Sequence, residues 1–327
     1  MKILITGSSG YIGSCLYEFL KKKFTVYGID KVFPQLKKQK NFFKIDLANP
    51  KKTDDIVSFL KPSLIIHLAG QSTLDFINNK KKYIKNNLKV TKNILASVKK
   101  NNVKHLIFSS TAAVYKTSNK KLTEKSKLEP NNIYGKTKLS CEKYIQKLLD
   151  KKNKNFLIFR FFNVCSSQMS LKIGEMHNPE THYIPIMAKK FKQNKKIYIY
   201  GNNFKTKDKT CIRDYIHIAD ILKAFLLGIK YLRKNKKSEI INLGSAKGYS
   251  NLEIFNRFKY LANNKFKKVH FKKKRRGDID KLVCDSKKAY KILKWKSMNS
   301  NLSKIIKDEI KWLRFVEKNK IYRKTIY

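Results

Sequence analysis

Acid is scarce in this chain. Asp and Glu number 23 against 75 Lys and Arg, leaving a formal net charge of +52 over 327 residues. Such an excess invites a nucleic-acid partner. Arginine is scarce too, only eight of those 75 cations, and it is the residue suited to bidentate phosphate and base contacts. The lysines fall in short groups along the whole length (21–23, 80–82, 151–154, 234–237, 272–274). That is the pattern of a solvated surface with salt-sensitive, unspecific stickiness, so no specific nucleic-acid partner is expected. Cysteine is sparse and odd in number, at positions 15, 141, 165, 211 and 284, with no CxxC pair. This excludes a disulfide framework or a cysteine zinc site, and no metal ligand set is read from the chain. No apolar run is long enough to span a membrane. The start, Met1 to Gly7, lacks the apolar core and cleavage site of a signal peptide, so a cytoplasmic protein is expected. Internal repeats and Pro- or Ser-rich linkers are also missing.

What remains is a chain that is 42% hydrophobic and long enough for one large or two intimate domains. Lys2 to Thr6 reads as a buried strand running into Gly7-Ser8-Ser9-Gly10-Tyr11-Ile12-Gly13 and an amphipathic helix. Strand, glycine turn and helix form the context of a dinucleotide site. Gly7 permits the tight turn, Gly10 the close approach of a pyrophosphate, and Gly13 close helix–strand packing. The helix N-terminus offers unpaired N–H groups and a positive dipole end. A second strand, Phe24 to Asp30, ends in an acid 17 residues after Gly13. Asp30 is placed to accept from the adenosine ribose hydroxyls and to repel a 2′-phosphate, which favours NAD over NADP. Asn41 to Asp46 reads as a third strand, with Asp46-Leu47 at the adenine edge. Thr53 to Leu60 reads as a helix. Leu64 to Gly70 reads as a buried strand with His67 as a core histidine, running into small residues that leave room for a flat cofactor. Tyr83 to Lys100 carries a helical stripe that includes Asn86 and Asn87. Val103 to Phe108 reads as a strand ending in the hydroxyl cluster Ser109-Ser110-Thr111, at the sheet end where ligands bind. Asn155 to Phe162 is the next strand. The alternation predicts a doubly wound parallel sheet over residues 1–164. After Asn163 the texture turns loop-rich, and a second, smaller mixed α/β substrate domain is expected over 165–327.

Within this frame Tyr134 and Lys138 lie four residues apart on a predicted helix, Asn132 to Lys152, and leave the same face. A phenol is a poor base at neutral pH. A cation beside it favours the phenolate, so Tyr134 is expected to accept a proton and Lys138 to set its pKa.

The glycine turn, Asp30, Thr111 and Tyr134–Lys138, in that order, resemble an extended short-chain dehydrogenase/reductase with a Rossmann-type sheet. Arg160-Phe161-Phe162-Asn163, the run Gly174 to Pro185, Arg213-Asp214-Tyr215-Ile216-His217 and Arg276-Gly277-Asp278 resemble the UDP-glucose 4-epimerase family over nearly the whole chain. The resemblance implies interconversion of UDP-glucose and UDP-galactose through a 4-keto sugar on tightly held NAD. Tyr134 would take the 4-hydroxyl proton, Thr111 would hydrogen-bond the same oxygen, and Lys138 would hold the nicotinamide ribose. Gly7, Gly10, Tyr11, Ile12, Gly13, Asp30, Asp46, Leu47, Leu68, Ala69, Asn86, Ser109 and Phe162 would complete the cofactor site. Arg213 and Arg275 would grip the diphosphate with Asn163. Asp278 would hold the uridine ribose, Tyr200 would lie against the uracil, and His182 would join the substrate set. Arg213 can instead form a surface ion pair with Asp214, and Arg275 can be one more charge in a basic run. The family implies a homodimer pairing the Tyr83–Lys100 and Asn132–Lys152 helices.

The chain departs from the family in places. Lys116 stands where Gly is usual, and Ser72 where some members carry Lys. Leu282 falls at a position that gates pocket volume, leaving UDP-N-acetylhexosamines open as substrates. A sugar-nucleotide dehydratase on the same fold needs an acid pair where this chain has Thr111-Ala112-Ala113. A non-catalytic NAD-binding protein that holds nucleic acid has no use for the Thr111, Tyr134 and Lys138 set.

Overall fold

Five short apolar runs become the middle of one sheet because each is flanked by residues that can turn. In a computed structural model, which describes residues 1–71, 80–149, 154–235, 237–262, 268–275 and 277–321, strands β1 (Lys2–Thr6), β2 (Thr25–Asp30), β3 (Phe42–Lys44), β4 (Leu64–His67), β5 (His105–Thr111) and β6 (Asn155–Phe161) join the strand Glu239–Leu243. The spatial order is β3-β2-β1-β4-β5-β6 and then Glu239–Leu243. The β1–β2, β1–β4, β2–β3 and β4–β5 pairs are parallel. This is the expected doubly wound order, and it reverses between β1 and β4, where ligands bind at the strands' carboxyl ends.

The intervening helices are α1 (Tyr11–Leu20), α2 (Pro50–Leu60), α3 (Lys80–Tyr83), α4 (Val90–Lys100) and α5 (Ile133–Leu149). α2 starts three residues before the expected Thr53, because Asn49 caps it by accepting from Lys52 N at 3.0 Å and Pro50 fills the first turn. One core packs Leu4, Ile65, Leu106 and Ile158 of the sheet against Ile56, Val57, Ile94, Val98, Cys141 and Ile145 of α2, α4 and α5. The expected continuous helix from Tyr83 is broken by a π-helical stretch, Ile84–Lys89. β5 runs further than expected, so Ser109, Ser110 and Thr111 are strand residues rather than the start of a loop. All five cysteines are free and buried.

Contacts within the chain gather into two units that interleave in sequence. Met1–Tyr115, Leu128–Arg160 and Ala224–Ile241 form one; Lys116–Lys127, Phe161–Lys223 and Asn242–Tyr327 form the other. The return to the first unit follows from the seventh strand, which closes the sheet beside β6. In the second unit, Ile212–His217 pairs antiparallel with Gly248–Ser250 and parallel with Lys281–Leu282 and Asn163–Cys165. Ile197–Tyr200 pairs with Val269–Lys272. Its core sets Ile184, Met187 and Phe191 against Ile254, Phe258, Leu302, Ile305 and Ile306. Ser250 and Glu253 form a reciprocal cap at the head of the helix Asn251–Leu261. Among the described residues no helix is long and apolar enough to cross a membrane.

Candidate active site

The glycine turn after β1 is built by contacts that leave no room for side chains. Gly7 has φ +72, and a Cβ on it would lie 2.7 Å from Ala69 N. The turn therefore presses on the segment after β4, at the switch point. A Cβ on Gly13 would lie 2.1 Å from Gly7 O, so α1 can start only with glycine there. A Cβ on Gly10 would meet only Gly7 O, at 3.3 Å, among the described residues. Its backbone borders open space, as a pyrophosphate cradle requires. Asp30 accepts from Ser9 N at 3.1 Å and Val32 N at 3.4 Å, which fixes its carboxylate beside the same turn. Tyr11, Ile12, Leu68 and Ala69 are half-buried around it.

Asp46 is exposed and turns back to accept from Ala48 N at 2.9 Å. Leu47 points its side chain into the core, 4% exposed, and so offers a ligand only its backbone. Of the two asparagines in the π-helical stretch, Asn87 is the inward one, at 1% exposure, whereas Asn86 is half-buried. Asn87 accepts from Gln71 N at 2.6 Å and donates to Thr137 Oγ1 at 3.0 Å. Asn87 is thus the inward-facing one of the pair, which the helical stripe left undecided, whereas the expected cofactor set names Asn86. Ser72 and Arg276 lie outside the described residues. His67 is fully buried between the Thr6 and Thr91 hydroxyls, at 2.7 and 3.0 Å, and burial pushes it down to about 3. It is a neutral core histidine, as read from the sequence.

Thr111 ends β5, and its Oγ1 accepts from Ala113 N at 3.1 Å. Tyr134 sits in the first turn of α5, where Asn132 Oδ1 accepts from Gly135 N at 2.8 Å. The helix is pressed against the Ala112–Val114 turn, since a Cβ on Gly135 would lie 2.3 Å from Ala113 O. This contact brings Tyr134 to Thr111, whose hydroxyl hydrogen-bonds it. The Tyr83 ring lies 6.5 Å away, centroid to centroid. Lys138 is 5% exposed, donates to Ser109 O at 2.8 Å and lies over the Phe108 ring at 4.6 Å. A Cβ on Gly70 would lie 3.6 Å from Lys138 Nζ, so the ammonium reaches the ends of both β4 and β5.

The electrostatics differ from the expectation that Lys138 acidifies the phenol. Burial pushes Tyr134 up to about 12, with the Thr111 bond opposing it. Burial pulls Lys138 down to about 8, with Cys141 and Glu142 opposing. The ammonium is directed at Ser109 and Phe108, so the phenol gains little from it. Around Tyr134, desolvation outweighs the cation.

One turn beyond Lys138, the carboxylate of Glu142 is completely buried, accepting from Ser110 Oγ and from Arg160 Nε at 3.0 Å and Nη2 at 2.6 Å. Arg160 Nη1 also donates to Tyr115 Oη at 2.8 Å. This network fixes α5 to β5 and β6 beneath the reactive pair. Glu142 was not read from the sequence, although its i+4 spacing from Lys138 was the available signal.

The second unit brings five of its sequence-selected residues together. The Arg275 guanidinium lies 3.9 Å from the Tyr200 ring centroid. Asp278 N donates to Arg275 O at 3.2 Å, and Asp278 Oδ1 lies 3.9 Å from Arg213 Nη2. Arg213 is in register with Leu282. Arg213 does not pair with Asp214. That neighbour points the other way into the core, accepting from Ser245 N at 2.7 Å, Ala246 N at 3.0 Å and Cys284 N at 3.1 Å. Arg213 instead donates to Ile279 O at 2.8 Å and Ile212 O at 3.0 Å, which orients its fork. Asn163 donates to Asp214 O at 3.0 Å, and Phe162 is 5% exposed with its N–H on Leu243 O. His182 stands in another cluster, with Glu175, His177 and Glu180.

Residues 3–244 match the model of the NAD dependent epimerase/dehydratase family. The chain belongs to that family. It is 35% identical over 321 residues to the UDP-glucose 4-epimerase of Lactobacillus helveticus, covering 95% of this chain and 97% of that one. The structure of UDP-glucose 4-epimerase from Bifidobacterium longum, in complex with NAD+ and UDP, superposes with a TM-score of 0.89 at 27% identity, over 98% of this chain and 99% of that one. The UDP-Glc/GlcNAc 4-epimerase of Campylobacter jejuni superposes with a TM-score of 0.79 at 31% identity, over 96% and 99%. This protein is therefore an NAD-dependent epimerase of the UDP-sugar 4-epimerase kind, and the glycine turn and Asp30 are the features of this epimerase that fit the dinucleotide.

Proposed function

We propose that the protein interconverts UDP-glucose and UDP-galactose. The observation that carries this reading is the meeting of Thr111, Tyr134 and Lys138 at the carboxyl ends of the strands beside the glycine turn. NAD, when bound, supplies the reversible two-electron oxidation of the C4 alcohol and a positive charge beside the phenol. The residues proposed to hold it are Gly7, Gly10, Gly13, Asp30, Asn87 and Lys138. Tyr134 accepts the proton of the C4 hydroxyl as that alcohol is oxidised, and returns it when the ketone is reduced on the other face. Thr111 donates to the same sugar oxygen and fixes its distance from the phenol. Lys138 stays hydrogen-bonded to Ser109 O and presents its remaining N–H groups to the ribose. Arg213 and Arg275 bind diphosphate oxygens, Asp278 the uridine ribose, and Tyr200 the base. Such a division grips the nucleotide and leaves the sugar free to turn.

A second reading adds UDP-N-acetylhexosamines, favoured by the half-buried Leu282 beside Arg213, where a side chain of moderate size leaves room for an acetamido group. The relationship to this enzyme family also supports a homodimer, which sedimentation of the purified chain checks. Incubation with UDP-galactose and, separately, UDP-N-acetylgalactosamine, with products separated by chromatography, tests both readings. Formation of UDP-glucose without added NAD supports the first. A chain that converts only the N-acetylated sugar overturns it in favour of the second.

A further inference from the structure

The loop that leads into the helix Tyr183–Lys192 gathers two imidazoles and two carboxylates in eight residues. We infer that Glu175, His177, Glu180 and His182 form a binding site for one divalent transition-metal ion, with zinc the ion its donors suit best. One donor atom from each lies within 4.8 Å of all the others. His177 Nδ1 is 3.0 Å from Glu175 Oε1 and 3.7 Å from Glu180 Oε1. Tetrahedral zinc with nitrogen and oxygen ligands at about 2.0–2.2 Å sets its donors roughly 3.3 Å apart, and the two His177 distances bracket that value. His182 Nδ1 converges on the same Glu175 oxygen.

Three further observations point to an ion rather than to a plain ion-pair cluster. Glu175 is 3% exposed, and its second carboxylate oxygen has no hydrogen-bond partner among the described residues. His177 Nδ1, though close to Glu175 Oε1, is likewise buried and out of hydrogen-bond alignment, so it faces the cluster without donating into it. Glu309, buried beside Glu175 and Glu180, leaves a further carboxyl oxygen without a hydrogen-bond partner among the described residues. A buried carboxylate oxygen without a donor, such as the second oxygen of Glu175, is costly unless a cation meets it.

The scaffold is already rigid. Glu180 Oε1 accepts from Thr181 N and His182 N, both at 2.8 Å, and Oε2 from His177 N at 3.3 Å. Trp312 Nε1 donates to Glu175 O at 2.8 Å. The His182 side chain is 46% exposed, which leaves the site an entry path. Two carboxylates and two imidazoles are a borderline donor set, suited to zinc more than to magnesium or calcium. The ion would tie both ends of the loop together at the head of the helix, and it makes His182 a metal ligand rather than a substrate contact. The short spacing hid the site from sequence reading because the same residues carry the family resemblance.

The test uses the full chain, stripped with EDTA, dialysed into metal-free buffer, reloaded with zinc chloride and gel-filtered. Mass spectrometry of the metal should find one zinc per chain, and X-ray absorption should show only nitrogen and oxygen neighbours at about 2.0–2.2 Å. Glu175→Gln and the pair His177→Asn/His182→Asn should lose most of that zinc, while His270→Asn keeps it. Zinc well below one per chain in the wild type overturns the inference. So does zinc retained in full by a folded His177→Asn/His182→Asn variant. Should both variants fail to fold, the wild-type absorption spectrum decides, and sulfur neighbours or a shell of six oxygens would refute the site.

Discussion

The ammonium of Lys138 donates to the carbonyl oxygen of Ser109 at 2.8 Å, although the group is almost wholly removed from water. A cation held there carries a stability cost, because burial lowers its pKa from 10.5 to about 8. The folded protein binds this proton less tightly than the unfolded chain does, so the cost is present in full below pH 8. It is relieved as pH rises from 8 to 10.5, where the unfolded chain still carries the proton. Lys138→Met should therefore raise thermal stability at pH 7, by on the order of 2–3 kcal/mol. The advantage over wild type should shrink between pH 8 and 10.5. Calorimetry of the two proteins across that range checks it, and a Met variant less stable than wild type at pH 7 contradicts it.

Thr111 touches both the Tyr134 phenol and its own following turn. Thr111→Val keeps the shape and removes the hydroxyl. A hydrogen bond to a charged group contributes about 1.5–3 kcal/mol, so kcat should fall roughly 10- to 100-fold. The KM for UDP-galactose should move little, since the nucleotide is held elsewhere. A variant whose KM rises while kcat stays put would show that Thr111 binds substrate without assisting the proton transfer.

Arg160 and Glu142 are a completely buried ion pair, with side chains 2% and 0% exposed. Removing one partner leaves the other charge stranded, at about 3–5 kcal/mol. Arg160→Met should unfold at markedly lower denaturant concentration, and the double change Arg160→Met/Glu142→Leu should recover much of the loss. Equal loss in the single and double variants would mean that packing, not charge, holds the pair.

Half-buried Arg275 holds its guanidinium 3.9 Å from the centroid of the Tyr200 ring, and its proposed role is to meet phosphate oxygens. Arg275→Gln should raise the KM for UDP-galactose about tenfold or more with kcat changed far less. An unchanged KM would return Arg275 to the status of one more charge in a basic run.

How far the sequence reaches is set by the range of the forces involved. Gly7, Gly10, Gly13 and Asp30 were legible because a strand, a turn and a helix N-terminus are local structures with fixed spacing. The Tyr134–Lys138 pair was legible as a helical i+4 relation, and the sheet order as an alternation of buried runs. The acidity of Tyr134 was misread, since it depends on how deeply α5 is pressed against Ala113, a distance no local pattern records. The choice between Asn86 and Asn87 depends on a π-helical stretch that shifts the facing residue by part of a turn. The Glu142–Arg160 pair and the return of Ala224–Ile241 to the first unit are contacts between distant segments. The extension of β5 through Thr111 goes with the burial of Ser109 and Ser110, which no local pattern of hydroxyl residues records.

Tyr134 is the group on which the whole account turns. The purified Tyr134→Phe variant should release as much NAD on denaturation as wild type, while its conversion of UDP-galactose to UDP-glucose falls by roughly 100- to 10,000-fold, the usual worth of a positioned proton-transfer group. Turnover close to wild type, with NAD still bound, would contradict the assignment of Tyr134 as the proton acceptor.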